Sequence, residues 1–373
     1  MTEETPHTSR GKGSPRKTRP DSPPFDSRLM EKQVAAITHL LEEKDFASVE
    51  EANEFLQQLV ASGQPIDRFA PAPETPLDQA QEIIYAAMQA AGRRRLTLAR
   101  KALEVSPDCA DAYVLLAEAA KTPQEAYTLY KQGVEAGERA LGKEFFEDFA
   151  GDFWGLIETR PYMRARQGLA ETLWELGERD AAVGHAQDML ELNHGDNQGM
   201  RYLLAGWLSI TGNDEALERL LDEYPKEYSA SWAYTRLLLT FRKQGPSAAT
   251  DKAFRAAMDA NPYVPMYLLA LLSEPRELPE YYEMGSPDEA IVYLVEAGEA
   301  WAGNPEAIEW MVDALMRLAP PERARKPPAT RKPPATRKPK PKPKPKPKSK
   351  SKPAKVWTLD PTPTAQRAKG KES

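Results

Sequence analysis

The sequence predicts an all-α fold, a right-handed solenoid of stacked helix pairs, on three observations. A period of 34 residues runs without a gap through 163–196, 197–230 and 231–264, the spacing of helix-turn-helix arrays. Helix-start signals recur along the chain as a cap residue followed by proline and, three positions after the cap, a carboxylate. No alternating, β-branched run competes with them.

Residues 1–27 are polar and rich in Pro, Ser, Lys and Arg, and read as a disordered arm. An N-terminal helical cap follows over 28–75, with helices expected at 28–43 and 48–62, the second opened by Ser48 with Glu51 as a capping box. Thr75-Pro76 with Asp78 begins a helix at 76–91. The next, 93–105, runs through Leu96, Ala99 and Leu103 and closes at Ser106-Pro107-Asp108. A pair at 109–120 and 123–140 carries Tyr113, Leu116 and Ala117, then Ala126 and Tyr130, and opens its second helix with Thr122-Pro123 and Glu125. In the first regular block Leu169, Ala170 and Leu173 face inward, Gly177 turns the chain, and Ala182, Ala186 and Met189 line the return helix. The third block repeats this with Leu237, Leu238 and Phe241, then Gly245, then Phe254 and Ala257, while the middle block, with Leu203, Leu204, Trp207 and Ala216, is the most worn. Alanine at a crossing lets two antiparallel helices approach closely, and glycine permits the left-handed turn residue. Ser286-Pro287 with Glu289 and then Asn304-Pro305 extend the array to about 318, so the solenoid spans 76–319.

Charge divides the chain more sharply than its overall net of −6 suggests. Residues 29–319 hold 26 Lys and Arg against 49 Asp and Glu, a net of −23, whereas 320–373 hold 18 against 3, a net of +15. The latter segment also contains 14 of the 34 prolines and a single aromatic, Trp357, and reads as a disordered Lys/Pro-rich tail. Alternating lysine and proline from Arg337 to Lys348 favours extended polyproline II. Such a tail fits three uses: nucleic-acid phosphates bound by counterion release, an anionic lipid surface, or solubility and association with the acidic body. No stretch approaches the roughly 18 apolar residues of a membrane span, and a lone Cys109 excludes an internal disulfide, so the expected location is the cytoplasm.

Together the three blocks and the recurrent caps resemble the tetratricopeptide-repeat family over about residues 76–318. The stretch Ser106 to Glu118, SPDCADAYVLLAE, with Gly168 to Glu171 and Gly177, is further similar to the suppressor of tumorigenicity seven family and its bacterial relatives, although no segment here matches the membrane spans of the animal members. The repeat family implies protein–protein binding or scaffolding without catalysis. It also implies ligand-facing side chains at block positions 2, 5, 9 and 12, which here include Arg164, Gln167, Glu171 and Trp174, then Arg201, then Trp232 and Arg242. Such a groove suits an extended or helical peptide with acidic and apolar groups. Gln167 and Glu171 stand where the family's clamp for a terminal carboxylate carries Lys and Asn, which argues against that ligand. The alternative for each groove residue is that it is simply exposed or packed against a neighbouring repeat.

Catalytic constellations are sparse. His7, His39, His185 and His194 show no metal spacing, and neither a phosphate loop nor a nucleophile elbow appears. Cys109 opens a helix, where the positive helix end would activate it, or else is a small buried residue. The segment 145–162, FFEDFAGDFWGLIETRPY, interrupts the period with Phe149, Phe153, Trp154 and Arg160 as a candidate aromatic pocket; its other reading is that the rings fill the space where the array changes pitch. The expectation is a non-catalytic adaptor that takes a protein or peptide in its groove, without cofactor or metal and with the tail as an accessory anchor. The alternative is a nucleic-acid-associated protein held by the tail.

Overall fold

A computed structural model describes residues 26, 28–44, 46–69, 72–273, 278–279 and 281–318. The expected arm up to Phe25 and the tail from Pro320 lie outside the described residues. Among the described residues the protein is an all-α solenoid of sixteen helices, and extended pairing is confined to isolated bridges of Gly151 and Asp152 with Asn193.

The cap consists of α1 (Leu29–Glu42), α2 (Val49–Ala61) and a 3-10 turn at Ile66–Phe69 that packs on α1. Helix pairs follow: α3 (Pro76–Met88) with α4 (Gly92–Val105), and α5 (Ala110–Ala117) with α6 (Pro123–Leu141). After the short α7 (Lys143–Phe149) come α8 (Arg160–Glu175) with α9 (Arg179–Leu192), α10 (Met200–Thr211) with α11 (Asp214–Glu223), and α12 (Ala230–Gln244) with α13 (Ala248–Ala260). Each second helix also packs on the next first helix, α4 on α5, α6 on α8, α9 on α10 and α11 on α12. This is how a repeat buries the face it cannot cover alone.

The expected caps form as hydrogen bonds. Thr75 and Asp78 make a reciprocal capping box, and the hydroxyls of Ser48, Thr122 and Ser286 accept from the backbone N–H three residues on. Asn304 differs: its side-chain amide donates to the Ala300 carbonyl and its oxygen accepts from Arg242, so tertiary contacts take the place of a cap. Gly177, Gly212 and Gly245 all have positive φ, at 86°, 71° and 58°, and each ends the first helix of a pair. The worn middle block therefore keeps its turn although its helix faces have drifted.

After α13 the order changes. A short α14 (Val264–Leu268) leads to α15 (Pro287–Ala302) and α16 (Pro305–Leu318). Helix α15 lies against α10 as well as α12, two first helices at once. The approach to α10 is close: a Cβ on Gly206 would stand 2.6 Å from the Glu296 carbonyl oxygen. Buried Ala290, Tyr293, Ala297, Ala300 and Trp301 form the inner face of α15, and the Trp301 indole donates to the Tyr293 hydroxyl at 2.7 Å.

Candidate partner-binding site

The expected groove runs over the first-helix layer, and the structure places its residues mainly in internal contacts. Arg164 is buried. Its Nε and Nη2 donate to Asp111 at 2.9 and 2.7 Å and its Nη1 to Glu31 of α1 at 2.7 Å. Burial alone would lower the guanidinium's affinity for its proton; the Asp111 and Glu31 charges and hydrogen bonds more than offset this and hold it cationic. Arg201 is fixed by Asp196 at 3.0 Å and by Glu227 at 3.2 Å, with its plane over Tyr202. Trp232 is buried, with Tyr202 and Tyr224 edge-on to its ring and its indole donating to the Leu221 carbonyl. Arg242 spans Asp214, the Ser209 carbonyl and Asn304. All four side chains thus have partners within the chain.

Gln167, Glu171 and Trp174 are different. Gln167 donates to Glu171 at 2.8 Å and accepts from Gln198 at 2.8 Å, a polar chain along α8 and the start of α10. Burial raises the Glu171 carboxyl above its ordinary range, against the Gln167 hydrogen bond. Trp174 stacks on Trp207 at 4.8 Å, and Arg179 lies over the Trp174 ring while pairing with Glu299 of α15. The groove is thus closed at both ends by the chain itself. Residues 26 and 28–32 tie to α3, α4, the end of α5 and α8 through Lys32–Glu82, Arg95–Asp26, Arg28–Glu118 and Arg164–Glu31, while α15 covers α10 and α12.

The 145–162 segment builds a small aromatic core. Phe153 is fully buried among Phe145, Phe146 and Tyr162, and Arg160 lies over Trp154 while donating to its carbonyl; Phe149 is 40% exposed. The segment is pinned to the end of α9 by the Gly151 N–H on the Leu192 carbonyl and the His194 N–H on the Gly151 carbonyl. Phe149 and Phe153 each meet Phe145, Arg160 covers Trp154, and none of these four lines the adjoining cavity.

A cavity of about 550 Å³ opens beside them, within the size of ordinary ligand sites. Leu77 and Tyr85 of α3, Leu141 of α6, Phe145 of α7 and Ile157, Pro161 and Tyr162 form apolar walls, with Glu31, Lys32 and Ala35 of α1 closing one side. Carboxylates of Glu74, Asp78, Glu82, Asp108 and Glu158 stand at its edge against Lys32 alone. Its shape depends on Gly137, where a Cβ would meet the Tyr162 Cβ at 2.8 Å. The sequence pointed to the segment and not to these residues, because α1, α3 and α6 come together there only in the fold. Thr75 and Asp78, which also line the cavity, were visible only as a cap.

Cys109 is buried, and burial followed by the Asp111 charge pushes its thiol up to about 12, so the helix end does not activate it. Among the described residues no three His, Cys, Asp or Glu side chains gather as a metal site, and no helix is long and apolar enough to cross a membrane.

The fold and cavity define an all-α helical-array protein with a self-occupied first-helix face and an open acidic cavity near its N-terminal end. In sequence it is similar to suppressor of tumorigenicity 7 protein-like of Homo sapiens, 30% identical over 235 residues that cover 56% of this chain and 40% of that protein. The Gallus gallus protein of that name gives 30% over 235 residues, 56% and 41%, and that of Danio rerio 29% over 238 residues, 56% and 38%. The chain spans about two fifths of the length of the curated relatives it matches. No family model matches.

Proposed function

We propose that the protein is a non-catalytic, cytoplasmic scaffold whose helix pairs are tetratricopeptide-like and bind a segment of a partner protein. The observation that carries this reading is the continuous stack from α3 to α13, in which each second helix packs on the next first helix and the array ends in an open, apolar-walled cavity. A stack of this kind presents long surfaces for partners and buries its own polar groups in structural networks. The occupied groove narrows where a partner docks: to the cavity, to the Gln167–Glu171 stretch, or onto α10 and α12 once α15 moves aside. The basic tail is proposed as an accessory anchor, and the +15 charge of 320–373 supports the second reading, attachment to nucleic acid.

Affinity purification of the full chain and of residues 1–319, each with and without nuclease, followed by mass spectrometry, separates these readings. A nuclease-resistant protein shared by both chains is the expected result. Partners that vanish with the tail or with nuclease would overturn the scaffold reading in favour of the second.

A further inference from the structure

We propose that the cavity bounded by α1, α3, α6 and the 145–162 segment is the docking site for a partner segment that carries lysine or arginine beside a bulky apolar side chain. This rests on the scaffold reading and gives it a ligand chemistry.

The argument starts from which charges at the cavity are already answered. Lys32 pairs with Glu82 at 2.6 Å, Arg139 with Asp108 at 2.8 Å, and Arg164 with Glu31 at 2.7 Å. Glu74, Asp78 and Glu158 also line the cavity, are exposed, and have no lysine or arginine partner among the described residues. The Asp78 carboxylate accepts only backbone N–H groups, from Glu74 and Thr75. Negative charge is therefore left over at the mouth. An anionic ligand would be repelled there, and a purely apolar one would strip water from three carboxylates without replacing it.

Beneath those carboxylates the walls are apolar: Leu77, Leu141, Phe145, Ile157 and Pro161 remain only partly covered, with Tyr85 and Tyr162 behind them. Arg and Lys side chains suit this layering, because their methylene stems lie along apolar surface while the charged head stays at the wet rim. The partly covered Phe145 ring is the aromatic surface there for a cation to lie against. A neighbouring leucine, isoleucine or phenylalanine on the same segment fills the remaining wall, which a free amine would leave exposed to water.

The test pans a random dodecapeptide library on the full-length chain, then titrates acetylated, amidated copies of the enriched peptides by fluorescence anisotropy. The titrations use the unaltered chain, a Glu74→Lys/Glu158→Lys double variant, and Leu141→Asp. Both altered glutamates are exposed, and circular dichroism melting confirms that each variant is folded; if Leu141→Asp unfolds, the double variant alone decides. Enriched peptides should pair Arg or Lys with a bulky apolar residue and lose about tenfold or more in affinity to the double variant, equivalent to about 1.4 kcal/mol. Competing spermine should leave them bound. Peptides without basic residues, affinities unchanged by the double variant, displacement by spermine at the peptide's own concentration, or a library that yields no binder would each overturn the proposal. Binding that ignores the cavity variants would leave the scaffold reading standing, whereas failure of that reading shows in the purification experiment.

Discussion

The two ends of the first-helix layer are closed by different physics. At the N-terminal end residues 26 and 28–32 are held on α3, α4, α5 and α8 mainly by charge: Arg28, Lys32, Arg95 and Arg164 meet Asp26, Glu31, Glu82, Asp111 and Glu118. At the C-terminal end α15 is held on α10 and α12 mainly by close packing, through Gly206, Ala297 and the buried Tyr234–Tyr293 contact. One closure answers to salt and to the loss of a charge partner; the other answers to lost volume. The comparison teaches that similar coverage carries different sensitivities.

The largest expected effect falls on the packed end. Trp301→Ala leaves a large void and removes the indole donor from the Tyr293 hydroxyl, and should cost about 4 kcal/mol in urea unfolding. Hydrogen exchange of the α1 amides should stay unchanged, and faster α1 exchange would show that the two closures are coupled. At the charged end Arg164→Ala strands two buried carboxylates and should cost about 3 kcal/mol. Adding Asp111→Ala should recover part of that loss, and a double-mutant cycle with no coupling energy would remove Arg164 from the closure.

A smaller effect separates the ends by pH. Burial, with Glu289 nearby and against a hydrogen bond from Ser231, raises the Glu296 carboxyl on α15 to about 7. Its value in the fold exceeds that of the unfolded chain, so its stabilising share is full below the ordinary carboxylate range and is lost as pH rises towards 7. Glu296→Gln should therefore be more stable than the unaltered chain by about 2 kcal/mol at about pH 8 and no more stable at about pH 4. An equal difference at both values would break this assignment. The smallest effect belongs to Arg28→Ala, because Arg95 still pairs with both of its partners, Asp26 and the exposed Glu118: about 1 kcal/mol, and smaller in molar salt, both read from the urea midpoint.

Local signals carried most of the fold. The helix starts at Thr75, Thr122 and Ser286 were legible because a cap satisfies N–H groups a few residues away, and Gly177 and Gly245 because a left-handed residue is a local demand. Gly212 sits in the same role, and its signal was masked by the drifted helix faces around it. The site was less legible. Arg164 and Trp232 lie at family groove positions, but whether such a residue meets a ligand or another helix depends on where α1 and α15 settle. The aromatic segment 145–162 stood out by composition, yet its rings close on one another and lend only Phe145 and Tyr162, with Ile157, Glu158 and Pro161, to the cavity.

The sequence by itself determined that this chain is a stack of helices, where most of them begin and turn, and that an acidic body precedes a basic, proline-rich end, since caps, periodicity and charge are written in near neighbours. Only the tertiary structure decided that α15 would lie on α10 and that Glu31 would meet Arg164, 133 residues away. Those outcomes follow from which surfaces fit at long range, where one glycine facing a carbonyl or one buried ion pair selects the partner, and no local pattern records that choice.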